Sequence, residues 1–363
     1  MRRVLVLNAG SSTLKASVLD ADAVEPLAQS TLPWAADEER TLRQALDRLG
    51  AEGSSFEAVG HRVVHGGTRF VQPTRVDEQV IEAIESLARF APLHNPLAAR
   101  TLHAARRALP NVPHVVCFDT AFHATLDPAA FVYALPYEWF DKWGYRRFGF
   151  HGLSVTWVRE RAGELLDRNS DDLGVVVAHL GAGCSVTAVW RGASVSTSMG
   201  MTPLEGVVMA TRAGSIDPGI IVAAMREHRI GVEDLERALD HESGLLGISG
   251  QSADMRELLA RESADVRTAL AIEIFVRSVA AGIAAAATAL PRLDAVAFTG
   301  GIGENASSVR ARICARLGPL GVAPVPDRAV DTDGVLVREP VAVLRVAARE
   351  DVVIARQTRA LLG

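Results

Sequence analysis

Arg212 stands among small residues downstream of a Gly181-Ala182-Gly183 turn, and that turn joins one apolar strand to another. A turn of glycine and small residues leaves backbone N–H groups uncovered, and these can bind phosphate oxygens. An arginine beside it supplies a planar, permanently charged fork for the same anion. The combination points to phosphoryl chemistry. Arg62 is a second candidate, because it sits inside the apolar run His61-Arg-Val-Val-His65-Gly-Gly, where an unpaired cation is costly. It is either half of a buried salt bridge or an arginine opening into a cleft, with Val64 on its strand face by period-two alternation.

Other clusters suit the same chemistry. Asn8-Ala-Gly-Ser-Ser-Thr, followed by Lys15, is a small-residue turn ending near a base, or an ordinary hairpin turn. Phe298-Thr-Gly-Gly-Ile-Gly-Glu-Asn305 has an apolar strand before it and a helix after it, the context expected of a nucleotide-binding turn. Arg146-Arg147-Phe-Gly-Phe-His151-Gly is dense in cations and aromatics, with glycines that give a ligand room at the backbone. Asp119 ends the apolar run Val112–Phe118, a common way to place a catalytic or metal-binding carboxylate. No P-loop, Gly-x-Ser-x-Gly or His-Glu-x-x-His sequence occurs.

The elements that must position these residues follow from periodicity. Strands are expected at Arg3–Leu7, Leu14–Leu19, Ala58–His65 and Val112–Phe118, with helices at 37–49, 76–90 and 96–108. The prolines of Ala91-Pro-Leu-His-Asn-Pro forbid one continuous helix there. A second half opens with a meander, Leu173–Ala178, Ser185–Trp190 and Ala193–Ser198. A long helix over 264–290, a strand at Ala295–Thr299, a last strand at Val341–Val346 and a helix from Asp351 follow. VLVLNAGSSTLKASVLD matches VVVAHLGAGCSVTAVW, and VVCFDTAF matches AVAFTGGIG, which suggests a duplication with a substrate cleft between two domains.

Bulk properties narrow the field. A chain of 363 residues is long for one hydrophobic core, so two domains are expected. With 48% hydrophobic and 22% charged residues it reads as a soluble globular protein. A formal charge of −5 argues against broad nucleic-acid binding. Cys117, Cys184 and Cys314 are odd in number and scattered, as buried free thiols in a reducing cytoplasm would be. The apolar run after the N-terminal arginines is too short for a signal peptide, and the stretch 269–290 reads as a core helix, not a membrane span.

Taken in order, Asn8-Ala-Gly-Ser-Ser, His61-Arg-Val-Val-His-Gly-Gly, Phe118-Asp-Thr-Ala-Phe-His, Phe148-Gly-Phe-His-Gly, Thr202-Pro-Leu-Glu-Gly and Thr299-Gly-Gly-Ile-Gly-Glu-Asn resemble the acetate kinase family from residue 4 to about residue 357. The resemblance implies an α/β protein of two duplicated ribonuclease H-like domains (actin/hexokinase-like) with an interdomain active-site cleft, usually a homodimer. The domains would be 1–120 plus 351–363, and 121–350. It implies phosphoryl transfer between ATP and a short carboxylate, with ADP and an acyl phosphate as products and Mg2+ (Mn2+ as alternative) as cofactor. By position it gives Arg62, Asp119, His151 and Arg212 catalytic roles, and Asn8 and Glu350 the metal. Lys15, His179, Leu180, Gly181, Ala182, Gly183, Asp254, Met255, Arg256, Gly301, Ile302, Gly303, Glu304 and Asn305 match nucleotide contacts. Arg62, Val64, Leu93, Phe150 and Pro203 match the substrate pocket.

The chain departs from the family pattern at Ala182, where Asn is usual, at Ala210, Ala213 and Ser215 in the segment around Arg212, and at Val155, where His is common. Loss of the amide at Ala182 costs about 1.5–3 kcal/mol if nothing replaces its bond to a charged group. The expected activity is acetate kinase. The alternatives are a propionate kinase and a catalytically weakened sensor of nucleotide or acyl phosphate.

Overall fold

The computed structural model describes residues 3–10, 13–20, 23–34, 37–50, 56–92 and 94–363. The chain divides into two units. One comprises Met1–Ala124, Phe150–Trp157 and Arg349–Gly363, and the other Thr125–Gly149 and Val158–Ala348. Residues 121–124, 150–157 and 349–350 therefore group with the first unit, where the sequence placed them in the second. The cause is local bonding: Gly152 N–H donates to the Asp119 carbonyl at 2.9 Å and His123 Nε2 to the Phe150 carbonyl at 2.9 Å.

The first unit is built on strands β1 (Arg3–Ala9), β2 (Thr13–Asp20), β3 (Ala28–Pro33), β4 (Ala58–Val63), β5 (Thr74–Arg75) and β6 (His114–Phe118). Their order is β3-β2-β1-β4-β6-β5. β1, β2 and β3 form an antiparallel meander, β1, β4 and β6 run parallel, and β5 lies antiparallel on β6. Val4–Leu7 are buried throughout, as expected of a central strand covered on both faces. The C-terminal helix Glu350–Leu362 packs on β1, β4 and β6. Gly60 permits this close approach, since a Cβ there would lie 2.6 Å from Ile354 and from Thr358. Helices Glu38–Arg48 and Asn95–Ala108 bring Leu42, Ala45, Ala104 and Ala105 into one cluster with Leu5, Leu7 and Leu14.

The second unit carries β7 (Gly174–Leu180), β8 (Cys184–Trp190), β9 (Ala193–Thr197), β10 (Ala295–Thr299), β11 (Gly334–Val337) and β12 (Ala342–Arg345). Their order, β11-β12-β10-β7-β8-β9, is that of the first sheet read from the opposite edge, with the same parallel and antiparallel pairings. The duplication is therefore real, but one of its expected correspondences is not. β10 is the equivalent of β4, not of β6, because both pair in parallel with the first strand of their meander. AVAFTGGIG thus corresponds to the Arg62 strand, and the Asp119 strand corresponds to β12. The long helix Val266–Ala287 buries Ala271, Ile272, Phe275, Val279 and Ile283 and packs on β7 and β8. It is long and apolar enough to cross a membrane, yet it serves here as the core helix of the second sheet.

Most expected elements are present with shifted ends. The helix expected at 76–90 is an α-helix over Glu78–Ser86 followed by a tighter turn at Leu87–Phe90. β4 stops at Val63, so the alternation argument does not extend to Val64, which lies in the bend beyond the strand. Leu93 is outside the described residues.

Candidate active site

In the first unit the parallel strands end on charge. Asn8 on β1 lies opposite Arg62 on β4, and Asp119 directly follows β6. Arg62 Nε donates to both Asp119 carboxylate oxygens at 3.1 Å and Nη2 to Oδ2 at 2.5 Å. Arg62 Nη1 donates to Asn8 Oδ1 at 3.2 Å, and Asn8 Nδ2 to Glu350 Oε2 at 3.0 Å. Glu350, the first residue of the C-terminal helix, lies 3.8 Å from Arg62. The salt-bridge reading of Arg62 therefore holds, and its fork also reaches Asn8.

Burial sets the electrostatics. Asp119 is fully buried and Arg62 nearly so, with 15% of its side chain exposed. Desolvation pushes the Asp119 carboxyl up to about 6 against the pull of Arg62, and Glu350 pushes the same way as burial. For Arg62 desolvation works against the charge, but the Asp119 and Glu350 carboxylates outweigh it and hold the guanidinium protonated. A cluster with one cation and two carboxylates results.

The loops around the cluster are fixed by polar side chains. Asn95 is fully buried; it accepts from His65 N–H and donates to the carbonyls of His65 and Ile84. Thr120 accepts from Gly66 N–H. Val64 and Phe150 are buried, and His65 packs against the rings of Phe90 and Phe150. His151 holds a left-handed φ of 59°, and its backbone N–H bonds the Asp119 carboxylate. Gly152 has no room for a side chain, since a Cβ would lie 2.3 Å from the Asp119 carbonyl oxygen. Behind Arg62, His114 donates to the Leu109 carbonyl and so accepts at Nδ1 from His61, 3.0 Å away. Burial lowers the pKa of both imidazoles and so disfavours their charged forms.

The second unit ends its strands on backbone instead. The positions equivalent to Asn8 and Arg62 are His179 and Thr299, paired across β7 and β10. Gly181 N–H donates to the Gly183 carbonyl at 3.0 Å, and a Cβ on Gly181 would come within 3.9 Å of Gly301 N. The two glycine turns are therefore neighbours. The Ala182 carbonyl accepts from Ala210 N–H at 3.3 Å, which ties the Arg212 segment to the same turn. Arg212 Nη1 donates to the Pro203 carbonyl at 3.2 Å, and Nε lies 3.7 Å from Asp240. Burial lowers its pKa, with Asp240 opposing.

Other expected site residues are occupied differently. Arg256 closes on Asp254, Nη2 to Oδ2 at 2.6 Å, while Asp254 also caps the helix Met255–Arg261 and Met255 is buried. Lys15 on β2 lies opposite Asn8. Asn305 Nδ2 donates to the Gly301 carbonyl, and the Glu304 carboxylate accepts from Gly300 N–H. In the arginine-aromatic cluster, Arg147 binds the carbonyls of Thr197, Ser198 and Met199 and pairs with Glu205 at 2.6 Å. Arg146 stacks 3.6 Å over Phe131. Asn95, Thr120 and Glu205 fall in motifs visible in sequence but carry no role there, and Asp240 falls in none; nothing in their local pattern announces a partner.

A sequence model of the Acetokinase family matches residues 35–356. The acetate kinase of Gloeobacter violaceus is 41% identical over an alignment of 398 positions, covering 98% of each chain. Among solved structures, the Porphyromonas gingivalis acetate kinase matches with a TM-score of 0.90 and 30% identity over all of both chains. A propionate kinase from Francisella tularensis matches at 0.89 and 34%, covering 99% of this chain and 100% of its own. Fold and likeness together define a kinase built on two duplicated α/β sheets. The chain belongs to the acetokinase family.

Proposed function

We propose that the protein transfers a phosphoryl group reversibly between ATP and acetate, giving ADP and acetyl phosphate, with Mg2+ as cofactor. The observation that carries this reading is the Arg62 fork on buried Asp119, with Asn8 and Glu350 at its rim, in a chain of this family. Acetate is already an anionic nucleophile, so the step needs no base. A carboxylate oxygen attacks the γ-phosphorus in line, the new O–P bond forms, and the bond to the bridging oxygen breaks with its electron pair leaving on ADP. Positioning and charge neutralisation then supply most of the catalysis.

Arg62 and Arg212 hold the carboxylate and the equatorial oxygens of the moving group, and His151 donates a hydrogen bond to it. Asp119 keeps Arg62 in place and charged. Val64 and Phe150, both buried, wall the acyl methyl. The turns at Gly181–Gly183 and Gly301–Asn305 offer their backbone to the nucleotide, aided by Lys15, His179, Leu180 and the Asp254–Arg256 segment. Asn8 Oδ1, which here accepts from Arg62, and the Glu350 carboxylate would offer oxygen ligands to a hard cation such as Mg2+ or Mn2+. Bound there, the cation neutralises phosphate charge.

Coupled ATP formation from acetyl, propionyl and butyryl phosphate tests the reading. Turnover is expected, highest with acetyl phosphate; no turnover with any of the three ends it. The likeness to a propionate kinase supports a second reading, with propionate preferred. One methylene in an apolar pocket is worth only about 1–3 kcal/mol, so the ratio of kcat/KM values decides between them. The working form is a cytoplasmic homodimer, a reading supported by an exposed apolar helix in the second unit.

A further inference from the structure

Glu304 stands in the glycine turn, yet its carboxylate turns inward. Oε1 accepts from Gly300 N–H at 3.1 Å, at the first residue of the turn, where φ is +77°. The same oxygen accepts from Ala348 N–H at 2.9 Å, and Oε2 lies 3.7 Å from Arg345. The amide one position earlier, Ala347 N–H, is taken by Asp333 at 2.7 Å, and Asp333 also accepts from Arg345 Nη1 at 3.2 Å. Arg345 is 5% exposed, so two carboxylates and one buried guanidinium grip the residues that leave β12. Two residues beyond Ala348 the chain reaches Glu350, the partner of Asn8 and Arg62.

We infer that Glu304 is a positioning residue. Its carboxylate ties the first residue of the glycine turn to the segment that leaves β12, so that one side chain sets the backbone of the nucleotide turn. Contact with the nucleotide through the Glu304 carboxylate is not required, because both of its oxygens serve the protein. The inference rests on reading Gly301–Asn305 as a nucleotide turn. Gly301 offers a separate check on that reading, since a Cβ there meets open space and should leave the fold intact.

The experiment measures ADP affinity by calorimetric titration, together with kcat and Tm, for Glu304→Ala, Glu304→Gln and Gly301→Val. Glu304→Ala is expected to weaken ADP about tenfold, the size of one lost charge-assisted hydrogen bond, and to lower kcat as well. Glu304→Gln keeps an oxygen for both amides but turns its NH2 toward Arg345, so it should recover part of the ADP affinity lost in the Ala variant. Gly301→Val should lose ADP at unchanged Tm. Wild-type ADP affinity in Glu304→Ala, alongside its loss in Gly301→Val, overturns the positioning role. So does a Gln variant as weak as the Ala variant. Intact affinity in Gly301→Val instead sinks the nucleotide reading of the turn. If Glu304→Ala does not fold, Glu304→Asp takes its place with the same outcomes, being one methylene too short to reach both amides.

Discussion

Asp119 meets two opposed demands, since burial favours its neutral form and Arg62 needs its charge. Removing the carboxylate leaves a buried arginine uncompensated, so Asp119→Ala should cost about 3–5 kcal/mol of stability and abolish turnover; denaturant unfolding and the coupled assay read both. The pH dependence follows from the same conflict. Folding raises the carboxyl from 3.8 to about 6, so activity should fall as pH drops through about 6 and Asp119 is protonated. Its linkage to stability has the opposite sign. The folded state binds this proton more tightly, so the group stabilises the fold below pH 3.8 and that contribution is lost as pH rises through about 6. A rate profile with no acid limb near pH 6 contradicts the assignment. At Ala182 the backbone is kept, with its carbonyl bonded to Ala210, and the family's amide is missing. Ala182→Asn should tighten ADP binding by up to about 1.5–3 kcal/mol, read by titration. Arg62 was legible in sequence as a cation in an apolar strand. Its partners were not: Asp119 lies 57 positions away, and Glu350 lies 342 from Asn8. Only strand order brings them together.

Elements were legible where apolar content was continuous. β1, β6, β7 and β10 are buried almost throughout and read directly as strands. β3 (AQSTLP) alternates buried and exposed residues at a sheet edge, β5 has two residues, and β11 is only partly buried; none rises above a loop in sequence. The same cause misled the duplication. VVCFDTAF and AVAFTGGIG are alike as buried strands before a turn, but strand pairing, which sequence does not display, makes β4 the counterpart of β10. The connection after Phe148 shows how a single glycine links elements to chemistry. Gly152 begins the helix Gly152–Leu166 against the Asp119 carbonyl, with His151 in a left-handed turn just before it. A Cβ at 152 must push that carbonyl aside. Gly152→Ala should therefore lower kcat more than it raises KM for nucleotide, whose turns lie in other elements; steady-state kinetics at saturating ADP separate the two.

At the scale of the whole molecule, one sheet topology was put to two uses. In the first unit the central strands run out at Asn8, Arg62 and Asp119; in the second the ends equivalent to Asn8 and Arg62 lead into glycine turns. The second unit has a further feature that a single chain does not explain. Helix Pro218–His228 has no buried residue, although Ile220, Val222 and Met225 are 57%, 56% and 43% exposed and Ile216 precedes them at 39%. The next helix, Val232–His241, has none either, and begins at Val232, 69% exposed. A helix apolar on several sides is ordinarily covered. Arg226 and Arg229 lie in or just beyond the first helix, while Glu233, Asp234 and Glu236 lie in the second. A second copy packed on this face would cover the aliphatic side chains. Ile220→Glu with Val222→Glu should therefore give a monomer by light scattering at a concentration where the unmodified protein is a dimer. Because none of these side chains is buried within the chain, the variant should keep its circular dichroism spectrum. A dimer that survives both charges, or an unmodified protein that is monomeric at every concentration, places the partner surface elsewhere or removes it.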